Sequence, residues 1–308
     1  MPEYPDISVY IDAIQTRVLG HSLRGLQLNN PFLLRTVEPT VDRFIGATLS
    51  AISRMGKRIV LEFQSPPANH ANSSSLWLVL HLMIAGRLHW QSNSQKPPGK
   101  SALLVLQFDS GSVYLTEAGS KRRASLHLFD QKTALDSIDP GGLEVMSASF
   151  AQFAAAFTAA NHTLKRALTD PHILSGIGNA YSDEILHKAR LSPIQMTQKL
   201  NQEELKRLFS AITESLTDWT ENLRAYYGDK FPEKVTGFRE DMAVHGRFGK
   251  PCPVCQSPVQ RICYATNETN YCPTCQTNGR ILADRALSQL LKKDWPRSLE
   301  ELEKLKQK

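Results

Sequence analysis

Two cysteine pairs, Cys252-Pro253-Val254-Cys255 and Cys272-Pro273-Thr274-Cys275, stand sixteen residues apart. A C-x-x-C pair turns two thiolates to one side of a tight knuckle, and two such pairs supply the four sulfurs of a tetrahedral Zn²⁺ site. This spacing constrains the local fold more than any other feature of the chain. The segment between the pairs must double back as a short β-hairpin, too small to fold without its metal. Four thiolates fill the coordination shell, so one zinc ion is expected at Cys252, Cys255, Cys272 and Cys275, with a structural role. Cys263 lies in the alternating stretch Val259 to Ala265 and reads as a packed thiol on a strand. Cysteines used in this way suit a reducing compartment better than a disulfide framework.

The remainder of the chain is long enough for two domains of ordinary size, at 308 residues. A charged fraction of 21% and an apolar fraction of 41% exclude a disordered polyelectrolyte. The net charge of +6 permits a polyanionic partner without requiring one. Glu3, Asp6 and Asp12 stand where a secretory signal would be basic and then apolar, and the longest apolar run, Leu76 to Gly86, is too short to cross a bilayer. A cytoplasmic protein, nucleoid-associated if bacterial, is expected.

Helical spacing of Ile7, Ile11, Ile14 and Val18 predicts a first helix over Ile7 to Leu19, with Asp6 as its N-cap and Glu3 outside any helical role. From Leu26 to Phe129 short alternating runs predict strands at Thr48–Arg54, Ile59–Phe63, Leu76–Leu82, Leu103–Phe108, Val113–Thr116 and Ser125–Phe129. The turn Met55-Gly56-Lys57-Arg58 presents Lys57 where a phosphate could be held. Loops are expected at Ser65–Ser75 and Gln91–Lys100. The latter ends in Gly99-Lys100-Ser101, which lacks the earlier glycine of a nucleotide-binding loop. A basic turn, Lys121-Arg122-Arg123, follows a strand.

Asp139-Pro140-Gly141-Gly142 marks a linker, and helices follow at Phe150–Ala160, Leu164–Leu168 and Gln202–Tyr227. Between them Gly176-Ile177-Gly178 leads into a helix starting at Asn179, where backbone N–H groups and the Asn179 amide can bind an anion. Apolar residues in Ile281 to Lys308 predict a helical tail packed on this half.

The start, Met1-Pro2-Glu3-Tyr4-Pro5-Asp6, gains meaning from these parts. Loss of Met1 would expose Pro2 as a secondary amine, which condenses with an aldehyde directly to an iminium and so acts as an electron sink. Met-Pro-Glu, the Lys57 turn, the strand His81 to Gly86, the segment Leu164 to Pro193 and the approach His245 to Cys252 occur in an order that resembles the formamidopyrimidine-DNA glycosylase and endonuclease VIII family of base-excision repair enzymes.

The resemblance implies an α+β chain: an N-terminal β-sandwich domain with a flanking helix, then a helical helix-two-turn-helix domain with a four-cysteine zinc finger. In this numbering the domains would span 1–138, 139–244 and 245–280, with an extension at 281–308. It further implies a monomer acting on DNA that holds damaged, oxidised bases or abasic sites, away from membranes. Pro2 would attack C1′ and expel the base, Glu3 would move protons at the sugar, and β- and δ-elimination would cut the strand. Lys57 would join Pro2 and Glu3 in the catalytic set, with Asp6 a further candidate; Lys57 and Asn179 would grip phosphates, with Lys165 a further contact and Arg122, Arg123, Arg261 and Asn267 at the DNA surface. Departures from the pattern are Asp6 for a glutamate, Ile84 for a methionine wedge, Ala124 where an aromatic wedge is usual, and Asn267 where the finger carries a phosphate-binding arginine. The alternatives are a damage-binding protein without catalysis, which retained Met1 would favour, and an abasic-site lyase with little glycosylase activity.

Overall fold

The structure, a computed structural model, describes residues 1–65, 74–93, 99, 101–119, 121–235, 239–264, 267–283 and 295–306. Most of the Ser65–Ser75 and Gln91–Lys100 loops, Lys100 included, lies outside the described residues, as do Ala265 and the tail leucines Leu287, Leu290 and Leu291. Two compact units are present: Met1–Pro140 with Trp219–Thr236, and Gly141–Asp218 with Gly237–Lys308.

The first unit opens with helix α1, Tyr4–Val18, followed by strands β1 Leu23–Leu28, β2 Thr48–Met55, β3 Arg58–Gln64, β4 Ser75–His81, β5 Gly86–Ser92, β6 Leu104–Phe108, β7 Gly111–Glu117 and β8 Ser125–Phe129. They form two four-stranded antiparallel sheets, in the orders β1-β6-β7-β5 and β2-β3-β4-β8. Six of these strands match the expected runs. β1 and β5 escape the pattern because only Leu23 in one, and Gly86 and Leu88 in the other, are buried. Their places come from pairing with β6 and β7, which no local periodicity announces.

The register pairs Ile59 with Leu80, Leu61 with Leu78 and Phe63 with Leu76, so these side chains share the face turned to α1 and the other sheet. The alternate residues Val60 and Val79, with Trp77 and Phe129, meet Leu135 of α2, Lys132–Asp136, on the other face. Burial on both faces explains why these strands read as continuous apolar runs. Each such large side chain contributes roughly 1.5–3 kcal/mol by leaving water. The segment after Trp219 joins this core through Phe231 and Val235, and Arg224 Nε donates to Asp12 Oδ2 at 2.8 Å. It therefore belongs with the β-rich unit, in contrast to the expected domain over 139–244.

The second unit contains α3 Phe150–Thr158, α4 Leu164–Thr169, α5 Asn179–Ala189, the start of α6 Gln202–Tyr227, the hairpin β9 Gln260–Tyr264 and β10 Asn267–Tyr271, α7 Pro273–Thr277, and a final helix Leu299–Lys306. The Ser149 hydroxyl caps α3 by accepting from Gln152 N. Arg190 ends α5 in the left-handed conformation. The described part of the tail packs within this unit: Ile281 and Leu282 are buried, and Leu282 N donates to Tyr271 Oη at 2.7 Å. Among the described residues, no helix is long and apolar enough to cross a membrane.

Candidate functional site

The N-terminal residues are held more tightly than their sequence suggests. α1 begins at Tyr4, with Pro5 in its first turn, where a missing N–H costs nothing. Glu3 is consequently the N-cap residue and Asp6 lies three positions further on, forming a capping box in which Asp6 Oδ2 accepts from Glu3 N at 2.9 Å. The expectation that Asp6 caps the helix and that Glu3 has no helical role is thus corrected. Apolar spacing locates the first core-facing residue, Ile7, whereas the cap is set one turn earlier by polar groups. Pro2, Glu3 and Asp6 are all buried.

The terminal amine, on Met1, lies below its ordinary pKa through burial first; Glu3 and Asp6 pull it back up, while Arg87 and Lys57 push it down. Two carboxylates and two cations therefore act on one amine. Lys57 arrives on the β2–β3 turn, which Gly56 makes possible with φ +59°. Arg54 ties that turn to the helix start, donating to Gly56 O at 2.6 Å while its guanidinium lies 4.3 Å from the Tyr4 ring centroid.

Arg87 had no mark in the sequence beyond following Gly86. It stands second on β5 and donates through Nη1 to Ile84 O at 3.1 Å and Gly86 O at 2.7 Å. These bonds brace the β4–β5 turn, in which Met83 adopts φ +51° and Ile84 is 60% exposed. The turn Lys121-Arg122-Arg123 is exposed, and the buried Glu117 carboxylate holds it by accepting from the Arg123 and Ala124 amides.

In the second unit α5 is the organising element. Asp183, fully buried, pairs with Lys165 Nζ at 2.5 Å and His245 Nδ1 at 2.7 Å and accepts from Asn270 N at 3.1 Å. Lys165 spends its other two protons on Asn179 O and Ser182 Oγ, at 2.7 and 2.8 Å. An ammonium has three donors, so Lys165 braces the α4–α5 turn from within. Glu184 accepts from the amides of Ala243, Val244 and His245, while burial raises its pKa. The Asn179 amide donates to Glu268 O at 2.9 Å, joining the anion-type turn to β10. Arg261 is engaged by Glu268 at 3.1 Å and lies 4.3 Å from the Phe248 ring centroid. Asn267 starts β10 opposite Tyr264. Asp183, Glu184, His187 and Asn270 escaped the sequence reading, although adjacent carboxylates on a helix flanked by buried Tyr181, Ile185 and Leu186 were its available signal.

The four cysteines converge. Cys252 and Cys275 Sγ are 3.9 Å apart and Cys255 and Cys272 Sγ 3.3 Å. With Zn–S bonds near ~2.3 Å, sulfurs around tetrahedral zinc are separated by about 3.8 Å, so the donor set fits the ion. His187 Nε2 adds a nitrogen 3.2 Å from Cys252 Sγ, and one donor each from His187, Cys252, Cys272 and Cys275 falls within 4.8 Å of the others. Cys263 sits half-buried on β9, consistent with a packed thiol.

Residues 1–127 match the model of the formamidopyrimidine-DNA glycosylase N-terminal domain, and residues 142–222 that of the H2TH domain of the same enzyme. The formamidopyrimidine-DNA glycosylase of Chloroflexus aurantiacus is 30% identical over 290 residues, covering 90% of this chain and 98% of the relative. An uncharacterised formamidopyrimidine-DNA glycosylase-like protein of Mycobacterium tuberculosis is 39% identical over 156 residues, which are 51% of this chain and 95% of that one. The crystal structure of the MutM (Fpg) protein of Thermus thermophilus superposes with a TM-score of 0.72 at 26% identity, covering 89% of this chain and 98% of the other. The Lactococcus lactis Fpg in complex with abasic-site DNA shares the fold, with a TM-score of 0.74 at 21% identity over 89% and 99% of the chains.

Proposed function

Because the chain belongs to the formamidopyrimidine-DNA glycosylase family, we propose that it excises damaged, oxidised bases from DNA and cleaves the strand at the resulting abasic site. The observation that carries this reading is the single amine at the head of α1, on which Glu3, Asp6, Lys57 and Arg87 all act. Removal of Met1 moves the terminal amine one residue inward, to the nitrogen of the buried Pro2, beside the same charged groups. Its lone pair attacks C1′ of the damaged nucleotide, and the C1′–N bond to the base breaks with its electron pair leaving on the base. The nitrogen loses its proton, and its lone pair then forms the C1′=N⁺ bond as the C1′–O4′ bond breaks and O4′ takes up a proton, opening the sugar ring to an iminium. Abstraction of a C2′ proton then expels the 3′ phosphate, and a second elimination expels the 5′ phosphate. Glu3, buried beside the amine, is the group that carries protons at the sugar. Asp6 fixes the backbone of Glu3 and acts through it.

Lys57 holds a phosphate next to the lesion, and Asn179 places a second at the helix start, where backbone N–H groups already favour an anion. Arg122 and Arg123 meet DNA from the exposed turn. Arg261 and Asn267 are assigned to the finger's DNA surface, with the charge of Arg261 shared with Glu268. The four cysteines hold one structural zinc ion, and the enzyme works as a monomer in the cytoplasm.

Sodium borohydride reduces an iminium and leaves protein bound covalently to abasic DNA. Metal-replete protein lacking Met1 is expected to form this adduct, and Pro2→Ala to reduce it by on the order of 100-fold or more. Intact mass of the same sample reports the state of Met1. Absence of an adduct from fully processed protein would sink the proposal.

A further inference from the structure

We propose that His187 belongs to the metal site as a supporting group: from α5 its Nε2–H donates a hydrogen bond to the Cys252 thiolate and so retards release of zinc without ligating it.

The Nε2 to Sγ separation of 3.2 Å is that of a hydrogen bond to sulfur, and both residues are buried, at 6% and 0% exposure. Four cysteine thiolates are enough to complete a tetrahedral shell without the imidazole. Four thiolates on one Zn²⁺ leave two net negative charges, with the Cys252 and Cys272 sulfurs on buried residues, and N–H donors aimed at the sulfurs disperse that charge. Two of the other three sulfurs, those of Cys272 and Cys255, receive such donors from within the finger. Cys275 N faces Cys272 Sγ at 3.5 Å, and Ser257 bonds to Cys255. For Cys252 the donor described is His187, which comes from outside the finger.

Its position on α5 is equally specific. Asn179, Asp183 and His187 recur every four residues, which places them on one face of the helix. Each reaches a different part of the finger: Asn179 donates to Glu268 O, Asp183 accepts from Asn270 N, and His187 meets Cys252. The helix that begins at the anion-binding turn thus lies along the finger and ends its contact at the metal. His187 makes the metal a joint between the two.

The inference rests on the zinc assignment and is independent of catalysis, so its test involves no DNA. His187→Phe removes the donor while filling the site, and His187→Gln retains an N–H. Zinc-loaded proteins would be mixed with a chromogenic chelator and release followed by absorbance, and the Co²⁺-substituted forms examined for their thiolate charge-transfer and ligand-field bands. The expected result is one metal per chain and the same four-thiolate spectrum throughout, with release about tenfold faster in His187→Phe and partly restored in His187→Gln. Equal release rates would overturn the proposal. So would a direct ¹⁵N–¹¹³Cd coupling to the imidazole in cadmium-substituted wild-type protein, which would make His187 a ligand. That measurement needs no variant and decides the matter even if His187→Phe fails to fold.

Discussion

Arg87, half-buried, and Asp183, fully buried, use their charges in opposite ways. Arg87 spends hydrogen bonds on two carbonyls of its own turn yet still bears on the terminal amine, lowering its pKa. If the cations that act on the Met1 amine act likewise on the Pro2 amine exposed by loss of Met1, the acid limb of iminium trapping should lie below that of an ordinary α-amine. Arg87→Gln removes a positive charge and should move the limb to higher pH. A limb that stays in place would remove Arg87 from the electrostatics of the amine. Asp183 instead neutralises Lys165, whose side chain is only 14% exposed. Asp183→Asn leaves that ammonium without its counter-charge, and a loss of about 3–5 kcal/mol is expected in urea unfolding of metal-loaded protein. A change below about 1 kcal/mol would mean that water replaces the carboxylate.

Among elements, the β4–β5 hairpin and α1 show how local geometry serves the site. Gly86 N donates to Leu82 O at 2.9 Å, and a Cβ at Gly86 would stand 2.3 Å from that same oxygen. Backbone cannot yield as a flexible side chain can. Gly86→Ala is expected to destabilise the protein by about 1–3 kcal/mol in thermal or urea unfolding, and to weaken binding to lesion DNA by displacing Ile84. Wild-type stability with wild-type binding would show the turn to be more compliant than its contacts imply. α1 makes a complementary case, because Asp6 and Glu3 cap the helix with the same carboxyl-bearing residues that surround the amine. Helix formation and assembly of the amine's surroundings are consequently one event.

For the molecule as a whole, the chemistry-bearing residues are divided between two separately packed units, the amine cluster in one and the Asn179 turn with its finger in the other. Recognition of a polyanion by such an array depends on salt. Lys57→Ala should weaken binding to all sequences alike and reduce the slope of log affinity against log salt by about 1. An unchanged slope would exclude Lys57 as a phosphate contact.

The division between sequence and tertiary structure follows from the range of the forces involved. Cysteine spacing, apolar periodicity and turn residues are local, and they sufficed for the gathering of the cysteine pairs, six of eight strands, the boundaries of α6 and the start of α5. The resemblance to a known family, carried by short motifs in order, supplied the role proposed for Pro2. Tertiary structure alone decided that Glu3 caps α1, that Lys165 is consumed by Asp183, that Arg87 bears on the amine and that His187 reaches Cys252. It also placed residues after Trp219 with the β-rich unit, through Phe231 and Val235. A charged or polar side chain finds its partner wherever packing brings one. In the Asp183 pair that partner lies eighteen residues away and in the His187 pair sixty-five, distances at which no sequence pattern persists.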